Sequence, residues 1–332
     1  MTKTIDIDHP AVGAGHVFVP GSADSLVAAT RLLATAPWPG WVTVGREHRL
    51  PVLLERPLTE TAVEIWCLGY CGTGNPLLPP ALEAHVTHRH VHWLSTTTGR
   101  LSLGAAELPG IRLDSIPGGS LVNLVLRRRR GRWTPDDHAS ERLGFIFGRY
   151  PGVDPSRREL ALANRIQAAS VAVRNHEGRG PALIRELAET PVAGWNDLEG
   201  LSQLAAMGEE IIAEGRKALV GLAPRFGAAQ AGPALWVIPS GRVGRGVHGK
   251  AVAAESWRRK APAAMVELVE RGVTKAWIVL PARRENLWHV VAECFAGYTS
   301  DFSWTGRRGA GSVHTDDVDR FVAALWTAIR RH

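Results

Sequence analysis

Apolar runs too short for helices alternate, over the first 150 residues, with segments of helical period. HVFVP (16–20), WVTVG (41–45), AVEIWCLG (62–69) and HVHWL (90–94) read as strands. The third of these is apolar enough to be buried on both faces. ADSLVAATRLLATA (23–36) reads as a helix with Asp24 or Ser25 as N-cap, and LLPPALEAH (77–85) as a helix with proline in its first turn. Short strands with helices between them predict a parallel sheet. SLVNLVLRRRRGRW (120–133) predicts a helix capped by Ser120, with Arg127 to Arg130 near its C-terminus, where positive charge is favoured. That arginine run reads as a solvated helix end rather than a phosphate clamp.

The pattern then changes. Residues 156–225 carry only amphipathic helical stretches punctuated by Gly and Pro, with no solenoid period. From 233 onward strands return, as ALWVIP (234–239), KAWIVLP (275–281) and LWHVVAECF (287–295). The stretch 251–272 predicts helices, and 315–331 a closing helix with Thr315 as N-cap. The expected fold class is α/β: a parallel-sheet domain over 1–150, a helical connector over 151–228, and a smaller α/β domain over 229–332.

Composition narrows the class. The chain has 332 residues, 45% hydrophobic and 21% charged, as a soluble protein with real cores does. It has no apolar run of membrane-spanning length and no signal pattern at its N-terminus, so a cytoplasmic location and no membrane partner are expected. Its three cysteines build no disulfide framework. Cys67 and Cys71 have the spacing of half a zinc site, but no second pair follows. The net charge of +7 comes almost entirely from Arg, which suits bidentate phosphate contacts. A GC-rich genome produces the same excess. Basicity points to nucleic acid, a nucleotide or an acidic partner.

Ligands of open α/β sheets bind at the carboxyl ends of strands, and acids are mostly missing there. The first strand leads into GSADS (21–25), which keeps Asp24 alone. The third strand ends on Cys67, and the fourth runs into Ser95, Thr96 and Thr97. His85, His88, His90 and His92 form a cluster that reads either as a transition-metal set or as the exposed lead into a strand. In GRVGRGVHGKA (241–251), Gly244, Gly249 and Lys250 match a P-loop, but Ala251 stands where a Mg²⁺-binding hydroxyl is needed. Arg242, Arg245 and Lys250 still make the loop a candidate anion site. Trp66, Trp93, Trp236 and Trp277 read as core, whereas Trp257 and Trp304, flanked by Arg, are candidates for base stacking or for core.

The order and spacing of these pieces, from about residue 15 to about residue 330, resemble the DHH/DHHA1 phosphoesterase superfamily of RecJ-like exonucleases, nanoRNases and cyclic-dinucleotide phosphodiesterases. The resemblance aligns PGSADSLVAA (20–29) with the family's first metal-binding loop, where Pro20 and Ser22 replace ligands and Asp24 survives. Ile65-Trp66-Cys67-Leu68-Gly69 aligns with a strand ending in a metal-binding Asp, placing Cys67 at that Asp. Ser95, Thr96 and Thr97 fall on the Asp-His-His signature, and Arg149 and Tyr150 near the last metal-binding Asp. The family's Gly-rich phosphate-contacting loop aligns with 305–312, which offers Gly306, Gly309, Arg307 and Arg308. Its preceding strand Arg aligns with Glu293.

The resemblance implies a protein whose two-metal centre has been lost, since hydroxyls and one carboxylate do not hold two divalent ions. It implies no cofactor, and binding of single-stranded nucleic acid or a nucleotide, as a sensor or a subunit of a larger complex with protein partners. Two alternatives stand beside it. One is a divergent Mn²⁺- or Mg²⁺-dependent phosphodiesterase or nuclease using Asp24 and the His cluster. The other is a protein-binding scaffold.

Overall fold

The structure is a computed structural model. It describes residues 14–36, 40–45, 49–55, 62–70, 78–86, 88–95, 111–115, 120–128, 133–148, 153–228, 230–243, 247–268, 273–280, 287–298, 303–305 and 308–330. The chain divides into two compact units, Met1–Gly208 and Glu209–His332.

The first unit is built on five strands: β1 (Ala14–Val19), β2 (Gly40–Val44), β3 (Ala62–Leu68), β4 (His90–Ser95) and β5 (Ile111–Ser115). Their order is β2-β1-β3-β4-β5, and every pairing is parallel. The four expected strands form within one or two residues of their predicted bounds. The fifth, IRLDS, is too polar to announce itself and is held by pairing with β4.

Alternation along the strands feeds two cores. Val17, Val19, Trp66, Leu68 and Leu94 face one layer of helices: α1 (Ala23–Thr35), α4 (Leu121–Arg128), α5 (Pro135–Gly148), α6 (Arg157–Asn175) and α7 (Gly180–Glu189). Phe18, Ile65, Cys67, Val91 and Trp93 face the other layer, with α2 (Leu50–Leu54) and α3 (Leu78–Val86). The first layer is fastened by a buried ion pair. Arg31 of α1 donates through Nη2 to Asp137 Oδ1 at 2.6 Å, with both side chains almost wholly inaccessible. Asp137 also accepts from the Thr134 backbone and hydroxyl, closing a reciprocal cap at the start of α5. Helix α6 starts with a full capping box, Ser156 with Glu159.

The last long helix, α8 (Glu199–Val220), contains the boundary between the units. A Cβ at Gly208 would lie 1.8 Å from the Ala168 carbonyl oxygen, so this crossing with α6 admits no side chain there.

The second unit has a mixed sheet of β6 (Ala234–Pro239), β7 (Ala263–Leu268), β8 (Val273–Val279), β9 (Ser303–Thr305) and β10 (Arg308–His314), in the order β6-β7-β8-β10-β9. Only β6 and β7 are parallel. Helix α9 (His248–Arg259) packs on β7 and β8. Helices α10 (Trp288–Ala296) and α11 (Val318–Arg330) share a core with Leu235, Val266, Ile278 and Val313. The exposed edge of β6 is met by Phe226, whose N–H and C=O bond Leu235 at 3.2 and 3.0 Å. Gly227, with φ of 97°, closes that turn, and a Cβ there would meet Pro233 O at 2.2 Å.

Four expectations are corrected here. LWHVVAECF is the helix α10, because Leu287, Val291 and Phe295 recur at helical spacing and are buried. Residues 263–268, read with the helical stretch, form the strand β7, whose residues Ala263 to Glu267 are all buried. The Gly-rich stretch over 305–312, expected as a loop, is strand β10 from Arg308 onward, because β8 and β9 pair with it on both sides. The closing helix starts later than expected, after one tight turn over Thr315–Asp317. No helix among the described residues is long and apolar enough to cross a membrane.

Candidate functional site

Asp24 lies in the first turn of α1, just past the end of β1; the N-cap of the helix is Ser22 and not, as expected, Asp24 or Ser25, because the Ser22 hydroxyl is the group that accepts from the first turn. Its carboxylate is turned toward α4. Oδ1 accepts from the Ser120 hydroxyl at 2.8 Å and from the Val122 N–H at 3.4 Å, and Oδ2 from the Leu121 N–H at 2.7 Å. Asp24 is thus a cap supplied to one helix by another, meeting N–H groups that α4 cannot satisfy internally. Burial pushes its pKa up to about 6, although all three donors oppose the rise.

The positions around it are equally engaged. Ser22 caps α1, accepting from the Ser25 N–H at 3.3 Å and donating to the Ser25 hydroxyl at 2.8 Å. Gly69, at the end of β3 with φ of 83°, sits so close to Leu121 that a Cβ would approach its Cδ1 to 2.7 Å. The start of α4 therefore fills the space between the ends of β1 and β3.

Because the folded-state pKa of Asp24 lies above its ordinary value, its contribution to stability is complete below about pH 4 and lost as pH rises through about 6. Asp24→Asn keeps an acceptor for α4 without the charge. It is expected to remove a pH dependence on the order of 2 kcal/mol between pH 4 and 7. Urea midpoints across that window check this. Parallel curves for the two proteins would contradict the raised pKa of Asp24.

Cys67 is not brought to this place. It is completely buried in the opposite core, paired across β1 and β4 with Phe18 and Trp93, and burial pushes its thiol pKa far up. Ser95 ends β4, buried and in register with Ser115. Thr96, Thr97, Cys71, Arg149 and Tyr150 lie outside the described residues. The histidines do not converge. His85 Nε2 bonds the Leu54 carbonyl at 2.9 Å, and its Nδ1 lies 2.8 Å from Arg89 Nη1. His90 is exposed, while His92 is buried and stacked on Trp66 at 3.9 Å.

In the second unit, Arg242 is exposed on the turn after β6, and Lys250 is half-buried in the first turn of α9. Gly309 is buried in β10, where Arg308 also stands. Arg245, Gly306 and Arg307 lie outside the described residues. Trp66, Trp93 and Trp236 are buried as expected, whereas Trp257 is 83% exposed.

One constellation escaped the sequence reading. Glu267 of β7 accepts from the Gly241 N–H at 2.8 Å and pairs with His248 Nε2 at 3.2 Å, and His248 stacks on Trp277 at 4.3 Å. Burial alone would raise the Glu267 pKa, but His248, Gly241 and Ser240 together hold it below the ordinary value. The only signal in the chain was an acid inside the apolar run AAMVEL. The carboxylate ties the Gly-rich turn to the sheet.

The described side chains do not fit a pair of divalent metals. Asp24 is committed to α4, the Cys67 thiol faces core, and no group of three or more His, Cys, Asp or Glu among the described residues is arranged to hold an ion.

No protein-family profile matches the chain, and no curated protein does. Solved structures do. RecJ from Thermus thermophilus in complex with Mn²⁺ is similar over 97% of this chain at 15% identity, with a TM-score of 0.58. The chain spans about half of that protein, 52% of its length. An exonuclease RecJ bound to manganese is similar over 97% of this chain and 91% of its own, at 17% identity and a TM-score of 0.51. The DHH domain of a member of a ribosomal-protein family gives a TM-score of 0.60 at 10% identity, covering 97% of this chain and 87% of that one. Taken with a parallel sheet, a helical stretch and a second mixed sheet in this order, these likenesses show that the chain has a RecJ-like fold.

Proposed function

We propose that this chain is a catalytically degenerate member of that fold, a pseudo-phosphoesterase that binds a phosphate-bearing ligand. The ligand is single-stranded nucleic acid or a nucleotide, and the protein acts as a sensor or as a subunit of a larger complex. The observation that carries the reading is the fate of Asp24. The one carboxylate left at the aligned metal positions of the strand ends directs both oxygens to the start of α4, and that helix occupies the space where ions would need room. Neutral hydroxyls such as Ser22 are poor ligands for Mn²⁺ or Mg²⁺. Charge supports the ligand class. Eighteen Lys and Arg stand against twelve Asp and Glu over 209–332, so nearly all of the net +7 belongs to the second unit.

The test is a titration of the purified protein with labelled single-stranded DNA and RNA, at low and high salt with Mn²⁺ present, followed by analysis of the strand. The expected result is binding that weakens with salt and leaves the strand intact. Cleaved product that disappears in Asp24→Ala would replace this reading with a divergent nuclease. No binding and no cleavage would leave a small nucleotide as the ligand, or a scaffold for protein.

A further inference from the structure

Trp257 stands one turn from the C-terminus of α9 with 83% of its surface exposed. Tryptophan is highly buried on average, so this exposure calls for a cause. The helix around it is well anchored. Arg259 is buried, donates to the Ala228 carbonyl at 2.8 Å and lies 4.9 Å above the Trp236 ring. The Ser256 hydroxyl bonds the Ala261 carbonyl at 2.8 Å. The indole therefore projects from a fixed support.

Its neighbours are cationic. Glu255 is the only acid on α9, and its side chain is buried between Arg258 and Arg259, leaving no carboxylate on the helix's outer surface. Arg258 is held by both Glu255 oxygens and by the Gln230 carbonyl, yet its side chain stays 45% exposed. Lys260 ends the helix with φ of 51°, the only positive value at a non-glycine among the described residues. Glycine is the usual residue for that conformation, so a lysine there keeps a charge at the expense of ease. No other large apolar side chain on α9 is exposed. A protein-binding hot spot sits at the centre of a desolvated patch, whereas a lone ring among cations matches a base flanked by phosphates.

We infer that Trp257 is a stacking platform for an unpaired base of a single-stranded nucleic acid, with Arg258 and Lys260 facing the adjoining phosphates. The inference rests on the ligand class proposed above and adds a surface to it. The full chain is titrated by anisotropy with labelled oligo-dT and with an abasic strand of equal length, as wild type, Trp257→Ala and Trp257→Phe. Trp257→Ala is expected to weaken oligo-dT binding about tenfold, the order of one stacked base, with most of it recovered in Trp257→Phe and no change on the abasic strand. Salt-sensitive wild-type binding that is equally tight in Trp257→Ala overturns the platform and leaves the proposed function standing. An equal loss on both strands overturns stacking as the cause. A wild type that binds neither strand overturns the platform and leaves a nucleotide as the ligand of the proposed function.

Discussion

Arg31→Ala is expected to lower the stability of the first unit by about 3–5 kcal/mol, the cost of leaving a buried charge without its partner. The guanidinium is 6% accessible and the Asp137 carboxylate not at all. Its removal takes from that carboxylate its arginine partner, while the Thr134 backbone and hydroxyl still donate to it. The effect has a second part, because the Arg31 stem fills space between α1 and α5. Pairing Arg31→Met with Asp137→Leu separates the two. The double variant replaces both charges with apolar groups of similar size, and such replacements are often neutral. Urea unfolding of the three proteins measures the difference. A loss below about 1 kcal/mol in Arg31→Ala would place this pair among solvated ones.

Cys67→Asp would put a carboxylate where the resemblance aligns a metal-binding Asp. It is expected to destabilise the protein by about 3 kcal/mol or more without creating Mn²⁺ binding. The side chain would enter a core of Phe18, Ile65, Val91 and Trp93 with no described donor aimed at it. The acid would stay protonated there, and a protonated acid is no metal ligand. Cys67→Val, an apolar change of similar size, should cost far less. Thermal melts with and without Mn²⁺ check both parts. A Mn²⁺-dependent rise in melting temperature for Cys67→Asp would show that the side chain reaches an open site.

How far the chain could be read depends on where each element's stability originates. Strands β1, β3 and β4 are buried by their own composition, so HVFVP and AVEIWCLG declared themselves. Strands β5 and β10 are polar or Gly-rich and exist through pairing with neighbours distant in sequence. Helix α10 was misread because a nine-residue apolar run satisfies both periods, and only burial of Leu287, Val291 and Phe295 decides between them. For the site, alignment correctly placed Asp24 at the end of the first strand. It gave no sign that Ser120 and Leu121, nearly a hundred residues on, receive its oxygens. Cys67 aligned with a ligand position, but the strand's alternation turns it into the α2–α3 core. Trp257 was readable either as a stacking surface or as core, and its exposure removes it from the core.

The bridge between Phe226 and Leu235 has a consequence for how copies of this chain behave toward one another. β6 ends its sheet, and an unguarded terminal strand is a template for the strand of a neighbouring molecule. The Phe226 backbone already takes the outward N–H and C=O of Leu235, and Gly227 allows it to turn away at once. A single residue thereby interrupts the row of backbone groups on which intermolecular ladders grow, a safeguard against self-association written into the main chain rather than into surface charge.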